Sequence, residues 1–333
     1  MDNATSYFRK VPEKIYVAMP LFSMWFGSVL SAAVLVYVAF FTYVWPLLLV
    51  YIVWIYTIDK DTCDRGGRSN TWLRICYCFP RGLNYFPMKF INVAKAPLNA
   101  KRNYLFCCFP HGVMPLGVAG AFLTDYGGFD ECFPNHIRRL ATLRHFFSIP
   151  FYREYLLSAG QCSASENSLN YMLSYPGGGN IVGLTVGGAE EALYAKPGNY
   201  YVVLKKRKGF IRVALRNGSP LVPVFSFGVI DIYDQMSNPY LKRLQNYVKS
   251  VTGVALILPI GCGFLQDWFG ILPKSRPITT IVGDPIEVSR IENPSQNQIE
   301  DLHSRFVEQL EKLFNDHKHS YVRDADNVKL IIV

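Results

Sequence analysis

The sequence predicts an α/β domain with a mixed sheet flanked by helices, preceded by an N-terminal transmembrane helical hairpin. Three observations carry that prediction. A long run near the start has no charged residue, the remainder alternates short apolar runs with polar or glycine-rich turns, and an amphipathic helix follows near the end.

No Asp, Glu, Lys or Arg occurs from Ile15 to Ile58, a run of 44 residues bounded by Lys14 and Asp59. One straight helix of that length would measure ~66 Å, about twice a ~30 Å hydrocarbon core, so two passes of roughly 20 residues fit better. The turn is expected between Val36 and Pro46. Arg9, Lys10 and Lys14 precede the run and Lys60, Arg65, Arg68 and Arg74 follow it, while the turn has no charge, which places both ends in the cytosol. Trp45, Tyr51, Trp54 and Tyr56 read as interfacial aromatics, which a shallow re-entrant hairpin explains as well. A cleaved secretory signal ending near Ser31-Ala32-Ala33 is disfavoured, because the apolar run continues far beyond such a cut. The chain therefore divides into a cytosolic tail (residues 1–14), a membrane hairpin (15–58), a membrane-proximal connecting segment (59–100) and the main domain (101–333).

Hydrophobic residues make up 50% of the 333 and charged residues 18%, against about 25% charged in soluble domains, which excludes a disordered chain. Lys plus Arg is 34 and Asp plus Glu 25, a net charge of +9. That balance suits an anionic partner without choosing between nucleic acid, lipid headgroups and a phosphorylated cofactor. The eight cysteines, Cys63, Cys76, Cys78, Cys107, Cys108, Cys132, Cys162 and Cys262, lack the paired C-x-x-C spacing of a zinc site. They read as reduced thiols facing cytosol or lipid. Glycosylation triplets at Asn3 and Asn217 would go unused on the cytosolic side.

Residues 59–100 read as an irregular basic approach to the bilayer, with Tyr85-Phe86-Pro87 and Phe90 as apolar points dipping into it. Strand-like runs follow at 104–109, 181–186, 200–204, 221–227, 254–259 and 278–282. Helical turns fit at 154–158, 167–174 and 210–216. In the last helix Ile299, Leu302, Phe306, Leu310, Leu313 and Phe314 share one face, and Asn293-Pro294-Ser295 marks its start.

Of the six histidines, His111 has the most suggestive setting. The apolar run 104–109 leads straight into Pro110-His111-Gly112, which presents the imidazole at the carboxyl end of a strand, where open α/β sheets build their sites. A side chain with an ordinary pKa near 6.5 is the usual base for taking a hydroxyl proton at neutral pH. A histidine that only ties down a turn is the plainer reading. Next, the run 181–186 ends in Gly187-Gly188-Ala189-Glu190-Glu191. Free main-chain N–H groups there could meet an oxyanion or a phosphate, and Glu190 could orient an imidazole or contact a hydroxyl. A helix start with acids near its positive end explains the same residues. Third, Lys205-Lys206-Arg207-Lys208, followed by Arg212 and Arg216, forms a ready phosphate site or a solvated charge cluster. Neither nucleotide-binding glycine pattern occurs, and G-x-S-x-G is absent, which disfavours a serine hydrolase. Nucleic acid is not expected as a partner, since these charges lack interleaved aromatics.

These residues resemble the diacylglycerol acyltransferase type two family, which includes monoacylglycerol acyltransferases and wax synthases. Arg102-Asn103-Tyr104-Leu105-Phe106 with Phe109-Pro110-His111-Gly112 is similar to its R-N-Y-I-F…H-P-H-G block. Tyr85-Phe86-Pro87, Arg153-Glu154-Tyr155-Leu156 with Ser158 and Gly160, Gly187-Gly188 with Glu191, Arg207-Lys208-Gly209-Phe210, and Pro277-Ile278-Thr279-Thr280 with Val282-Gly283 follow in the family's order. The similarity spans about residues 85–321. It implies an acyltransferase-like α/β domain in the endoplasmic reticulum membrane, multi-pass and facing the cytosol. The implied reaction is metal-free transfer from acyl-CoA, a co-substrate rather than a cofactor, to mono- or diacylglycerol in the bilayer, as in triacylglycerol synthesis. A long-chain alcohol or lysophospholipid acceptor is the alternative, as is a non-catalytic lipid-binding protein, and a homo-oligomer stays open. By this reading His111, with Glu190 or Glu191, is catalytic. Pro110, Gly112, Gly187, Gly188, Tyr85, Phe86 and Pro87 contact substrate, and Lys205, Lys206, Arg207 and Lys208 hold the phosphates of coenzyme A. Two departures stand out. Phe109 replaces the first histidine of H-P-H-G, and Pro115 and Leu116 stand where glycerophosphate acyltransferases carry the aspartate of H-x-x-x-x-D.

Overall fold

The computed structural model describes residues 2–69, 85–124, 128–236, 238–253, 256–266 and 269–333, with the backbone alone for 2–13, 16, 19 and 20. Arg74, Cys76 and Cys78 lie outside the described residues.

Two apolar helices come first, α1 (Asp2–Phe41) and α2 (Trp45–Thr57), separated by residues 42–44 inside the expected turn. They are unequal. Leu21–Phe41 is long and apolar enough to cross a membrane, at about 31 Å for its length, whereas α2 would extend only about 20 Å. The lower half of α1 is not a free flank. Lys14, read as a cation beside the bilayer, is buried and donates to the Gly263 carbonyl at 2.9 Å.

The remaining helices are α3 (Leu116–Leu123), α4 (Phe129–Cys132), α5 (Tyr152–Ser158), α6 (Glu166–Leu173), α7 (Gly188–Ala192), α8 (Gly209–Asn217), α9 (Pro239–Thr252) and α10 (Gln296–Tyr321). The strands are β1 (Met88–Asn92), β2 (Tyr104–Phe109), β3 (Ile137–Thr142), β4 (Gln161–Ser163), β5 (Asn180–Thr185), β6 (Tyr200–Val202), β7 (Leu221–Phe227), β8 (Asp234–Gln235), β9 (Pro259–Ile260), β10 (Ile278–Val282) and β11 (Leu330–Ile332). Seven of them form one sheet in the order β1-β10-β7-β2-β5-β3-β4. Pairing is parallel except between β10 and β7, so the sheet is mixed, as expected. Every residue of β2, β7 and β10 is buried, which is why their sequences read as largely apolar runs; Ser226 of β7 and Thr280 of β10 share a hydrogen bond at 2.9 Å.

Several expectations change. Residues 254–259 contribute only Pro259 to a strand, the two-residue β9; residues 256–258 are not extended ladder, and 254 and 255 lie outside the described residues. Within the supposed approach segment, β1 joins the main sheet beside β10. Tyr85 and Phe86 do not dip into lipid: both are core residues, and the Tyr85 hydroxyl donates to the Pro273 carbonyl at 2.6 Å. The described cysteines are free thiols, but Cys63, Cys107, Cys108, Cys162 and Cys262 face the core rather than cytosol or lipid. The last helix, α10, follows its periodicity closely. Ile299, Leu302, Phe306, Leu310, Leu313 and Phe314 are all buried, and Ser295 with Gln298 closes a capping box at its start.

Candidate functional site

Adjacent parallel strands bring two of the three sequence constellations together. Cys108 of β2 pairs with Thr185 of β5, so the loops that leave their carboxyl ends, 110–115 and 186–188, lie side by side. His111 sits on the first loop and Gly187 and Gly188 on the second. Gly112, at φ 66°, makes the turn that sends the chain from β2 into α3, a conformation that favours glycine.

His111 lines a cavity of about 270 Å³. The imidazole Nδ1 lies 2.9 Å from the Gly112 carbonyl oxygen. A carbonyl only accepts, so Nδ1 carries the proton and Nε2 keeps its lone pair. Burial pushes the pKa of His111 below its ordinary 6.5, partly offset by the Gly112 bond. The ring is therefore neutral at pH 7 and in the tautomer of a base.

Glu191 supports this loop without touching the ring. Its Oε1 accepts the main-chain N–H of His111, and its Oε2 accepts that of Val203 at 2.9 Å. The side chain is 1% exposed, and burial pushes its carboxyl up to about 7 against the pull of those two bonds. Gly187 makes room for it: a Cβ there would sit 2.0 Å from Glu191 Oε2. Glu190 goes elsewhere. It faces solvent in an ion pair with Arg207 at 3.0 Å, with Lys249 at 3.8 Å, and it is not among the cavity's lining residues.

The basic run follows Val203 directly, so Glu191 links the His111 loop to the start of 204–208. Lys205 and Lys206 are exposed, whereas Arg207 and Lys208 are engaged with Glu190 and Glu300. Of the expected substrate contacts, Gly188 lines the cavity; Tyr85, Phe86, Pro87, Pro110, Gly112 and Gly187 do not. Phe109 is fully buried and packs against Phe306 of α10, so this position serves the core.

Sequence reasoning missed one wall of the His111 cavity. Met24 and Trp25 of α1 line the same cavity, and the Trp25 indole N–H points to the Met114 sulfur at 2.9 Å. Ser23 of α1 hydrogen-bonds the hydroxyl of Tyr155, another lining residue. The signal was present, since Ser23 and Trp25 are polar-capable residues inside the apolar run, but the whole run was assigned to lipid. Val113, Leu143, Leu184 and Ile257 also line the chamber, with Thr142, Gln161 and Thr185 among its polar members, so it is mostly apolar with one imidazole.

A family model described as diacylglycerol acyltransferase matches residues 37–332. Among curated proteins, 2-acylglycerol O-acyltransferase 1 of Bos taurus is 40% identical over 291 residues, 86% of each chain. Acyl-CoA wax alcohol acyltransferase 1 of Homo sapiens is 40% identical over 284 residues, 84% of this chain and 85% of that one. Acyl-CoA wax alcohol acyltransferase 2 of Mus musculus is 35% identical over 337 aligned positions, 98% of this chain and all of the other.

Proposed function

Because the chain belongs to the diacylglycerol acyltransferase family, and is thereby an acyl-CoA-dependent O-acyltransferase of neutral lipid acceptors, we propose that it acylates the hydroxyl of mono- or diacylglycerol, with His111 as general base. One observation supports this most: a neutral imidazole with Nε2 unprotonated lines an apolar cavity that a membrane-length helix walls with Met24 and Trp25. A lipid acceptor reaches such a chamber from the bilayer without crossing water.

In this reading Nε2 of His111 takes the hydroxyl proton as the acceptor oxygen attacks the thioester carbonyl carbon. A C–O bond forms and the carbonyl electrons move to oxygen. Collapse of the tetrahedral adduct breaks the C–S bond, and the departing coenzyme A thiolate recovers the proton from His111. Gly188, at the edge of the same cavity, is the main-chain donor we assign to the oxyanion. Lys205 and Lys206 hold the phosphate end of coenzyme A, and Arg207 and Lys208 join them by exchanging Glu190 and Glu300 for phosphate. The hairpin anchors the enzyme in the endoplasmic reticulum membrane with its domain in the cytosol, and α2, short for a full pass, returns the chain to the side it left.

The human wax alcohol acyltransferase, at the same 40% identity as the bovine acylglycerol enzyme, keeps a long-chain alcohol acceptor as the second reading. Labelled acyl-CoA is supplied to membranes containing the protein together with monoacylglycerol, diacylglycerol, hexadecanol or lysophosphatidate. Label concentrating in di- and triacylglycerol is the expected result. Predominant wax ester would move the assignment to the second reading, and label confined to phospholipid would overturn a neutral acceptor.

A further inference from the structure

Helix α9 turns its apolar side outward. Tyr240, Leu244, Tyr247 and Val251, three or four residues apart, are 80%, 50%, 68% and 68% exposed, and Gln245 is the buried residue of the helix. A helix recruited to cover a core shows the opposite arrangement. Lys242 and Arg243 are exposed beside the stripe, and α9 contains no Asp or Glu. An apolar stripe flanked by cations and free of acids is the composition of a helix lying in the interface of an anionic bilayer.

The position of α9 points to the same occupant. Gly253, its C-terminal cap, lies against the ring of His145. The single-turn helix that carries His145, Arg144–Ser148, also receives α2: the Tyr56 hydroxyl donates to the Ser148 carbonyl at 2.6 Å. Farther along, Phe264 and Leu265 are exposed beside Gly263, whose carbonyl holds Lys14 of α1. The C-terminal end of α9 and the exposed residues 264 and 265 thus lie beside the places where α2 and α1 meet the domain.

We propose that α9 is a second lipid-contacting element, lying in the headgroup layer of the bilayer that holds α1, with Leu244 and Tyr247 toward the acyl chains. Ile257, four residues past the α9 cap, lines the cavity of His111. An anchored α9 therefore holds one wall of that cavity at the surface from which a lipid acceptor arrives. This inference rests on the membrane reading of α1, and its test separates the two.

An environment-sensitive fluorescent amino acid is placed, one site at a time, at Phe40 of α1, at Leu244 and Tyr247, and at Glu300 of α10 as a solvent control. The full chain is reconstituted in phosphatidylcholine–phosphatidylserine vesicles with lipids spin-labelled near the top of the acyl chain. Quenching at 244 and 247 should exceed that at 300 by roughly threefold or more, with 40 also quenched. Quenching at 40 but not at 244 or 247 overturns the inference and leaves the membrane reading intact, whereas no quenching at any site overturns both. Quenching at 244 and 247 without 40 overturns the proposal as stated, since α9 would then lie in a bilayer that does not hold α1. A blue shift at 247 that grows with protein density, without lipid quenching, would assign the face to a second copy and overturn the bilayer assignment.

Discussion

At the scale of single residues the proposed base is a histidine held by its own main chain. His111 owes its tautomer to a carbonyl one residue away and its place to a buried carboxylate that grips its main chain. Glu191 is a positioning residue in this scheme, and Glu191→Gln tests it. The amide has one acceptor where the carboxylate has two, so either the His111 or the Val203 N–H loses its partner, at a cost of roughly 1–3 kcal/mol. The expected turnover is about 10- to 100-fold below wild type, each tenfold being worth ~1.4 kcal/mol. A pH profile separates this role from simple loss of fold. Burial lifts the Glu191 carboxyl to about 7 and lowers the His111 pKa, so the wild-type rate should begin to fall near pH 7 as Glu191 protonates and loses an acceptor, and fall further below pH 6.5 as the ring protonates. In the variant the limb near pH 7 should disappear and leave only that of the ring, whereas an unchanged profile with unchanged turnover would contradict the role. His111 was legible because Pro110 and Gly112 flank it after an apolar run. Composition does not separate Glu191 from Glu190, since adjacent acids differ only in which one the short helix α7 turns inward, whereas the family pattern falls on Glu191.

At the scale of elements, the foot of the membrane helices is clamped to α5. Arg153 is 1% exposed and pairs with Asp59, just past α2, at 2.7 Å and with Glu154 at 2.6 Å. Its guanidinium also donates to the Phe147 carbonyl and lies 6.0 Å from the Trp54 ring. Tyr51 of α2 completes the clamp by stacking on Phe151. The aromatics Tyr51, Trp54 and Tyr56, expected at a lipid interface, are thus partly used to dock protein on protein. Arg153→Ala removes the buried partner of Asp59, leaving it the more exposed Arg68 at 2.9 Å and the Thr62 hydroxyl at 2.7 Å, and should cost about 1–3 kcal/mol. Arg102→Ala, which removes an exposed pair with Glu287, should cost under about 1 kcal/mol. Thermal unfolding in detergent compares them, and equal losses would refute the clamp. The legibility of elements follows the same physics. β2, β7 and β10 were visible because all their residues are buried, and α10 because one face is. β3 was hidden because Arg138 and Arg139 interrupt its apolar pattern; Arg138 is tolerated inside by Asp130 at 3.2 Å and the Phe129 ring.

At the scale of the whole molecule, the uncharged run and the loop of His111 line one cavity, so the apolar helix is more than an anchor attached to the domain. Trp25 and Met24 belong at once to the apolar helix and to the chamber of His111, so the bilayer's contents and the base share a wall. The shared wall is not legible in the sequence, because apolar residues facing lipid and apolar residues facing a cavity have the same composition; only the fold distinguishes them. The net charge is distributed in keeping with this arrangement, with Lys205 and Lys206 exposed beyond Val203, on the far side of the Glu191 bridge from His111. The most direct test of the whole account is acyl transfer by His111→Ala in the same membranes, measured with labelled acyl-CoA and saturating acylglycerol against wild type at equal protein level. Loss of a positioned general base should lower the rate by about 100- to 10,000-fold while binding of acyl-CoA persists. Equal label in every lipid product from the two proteins would contradict the assignment of His111 as the base.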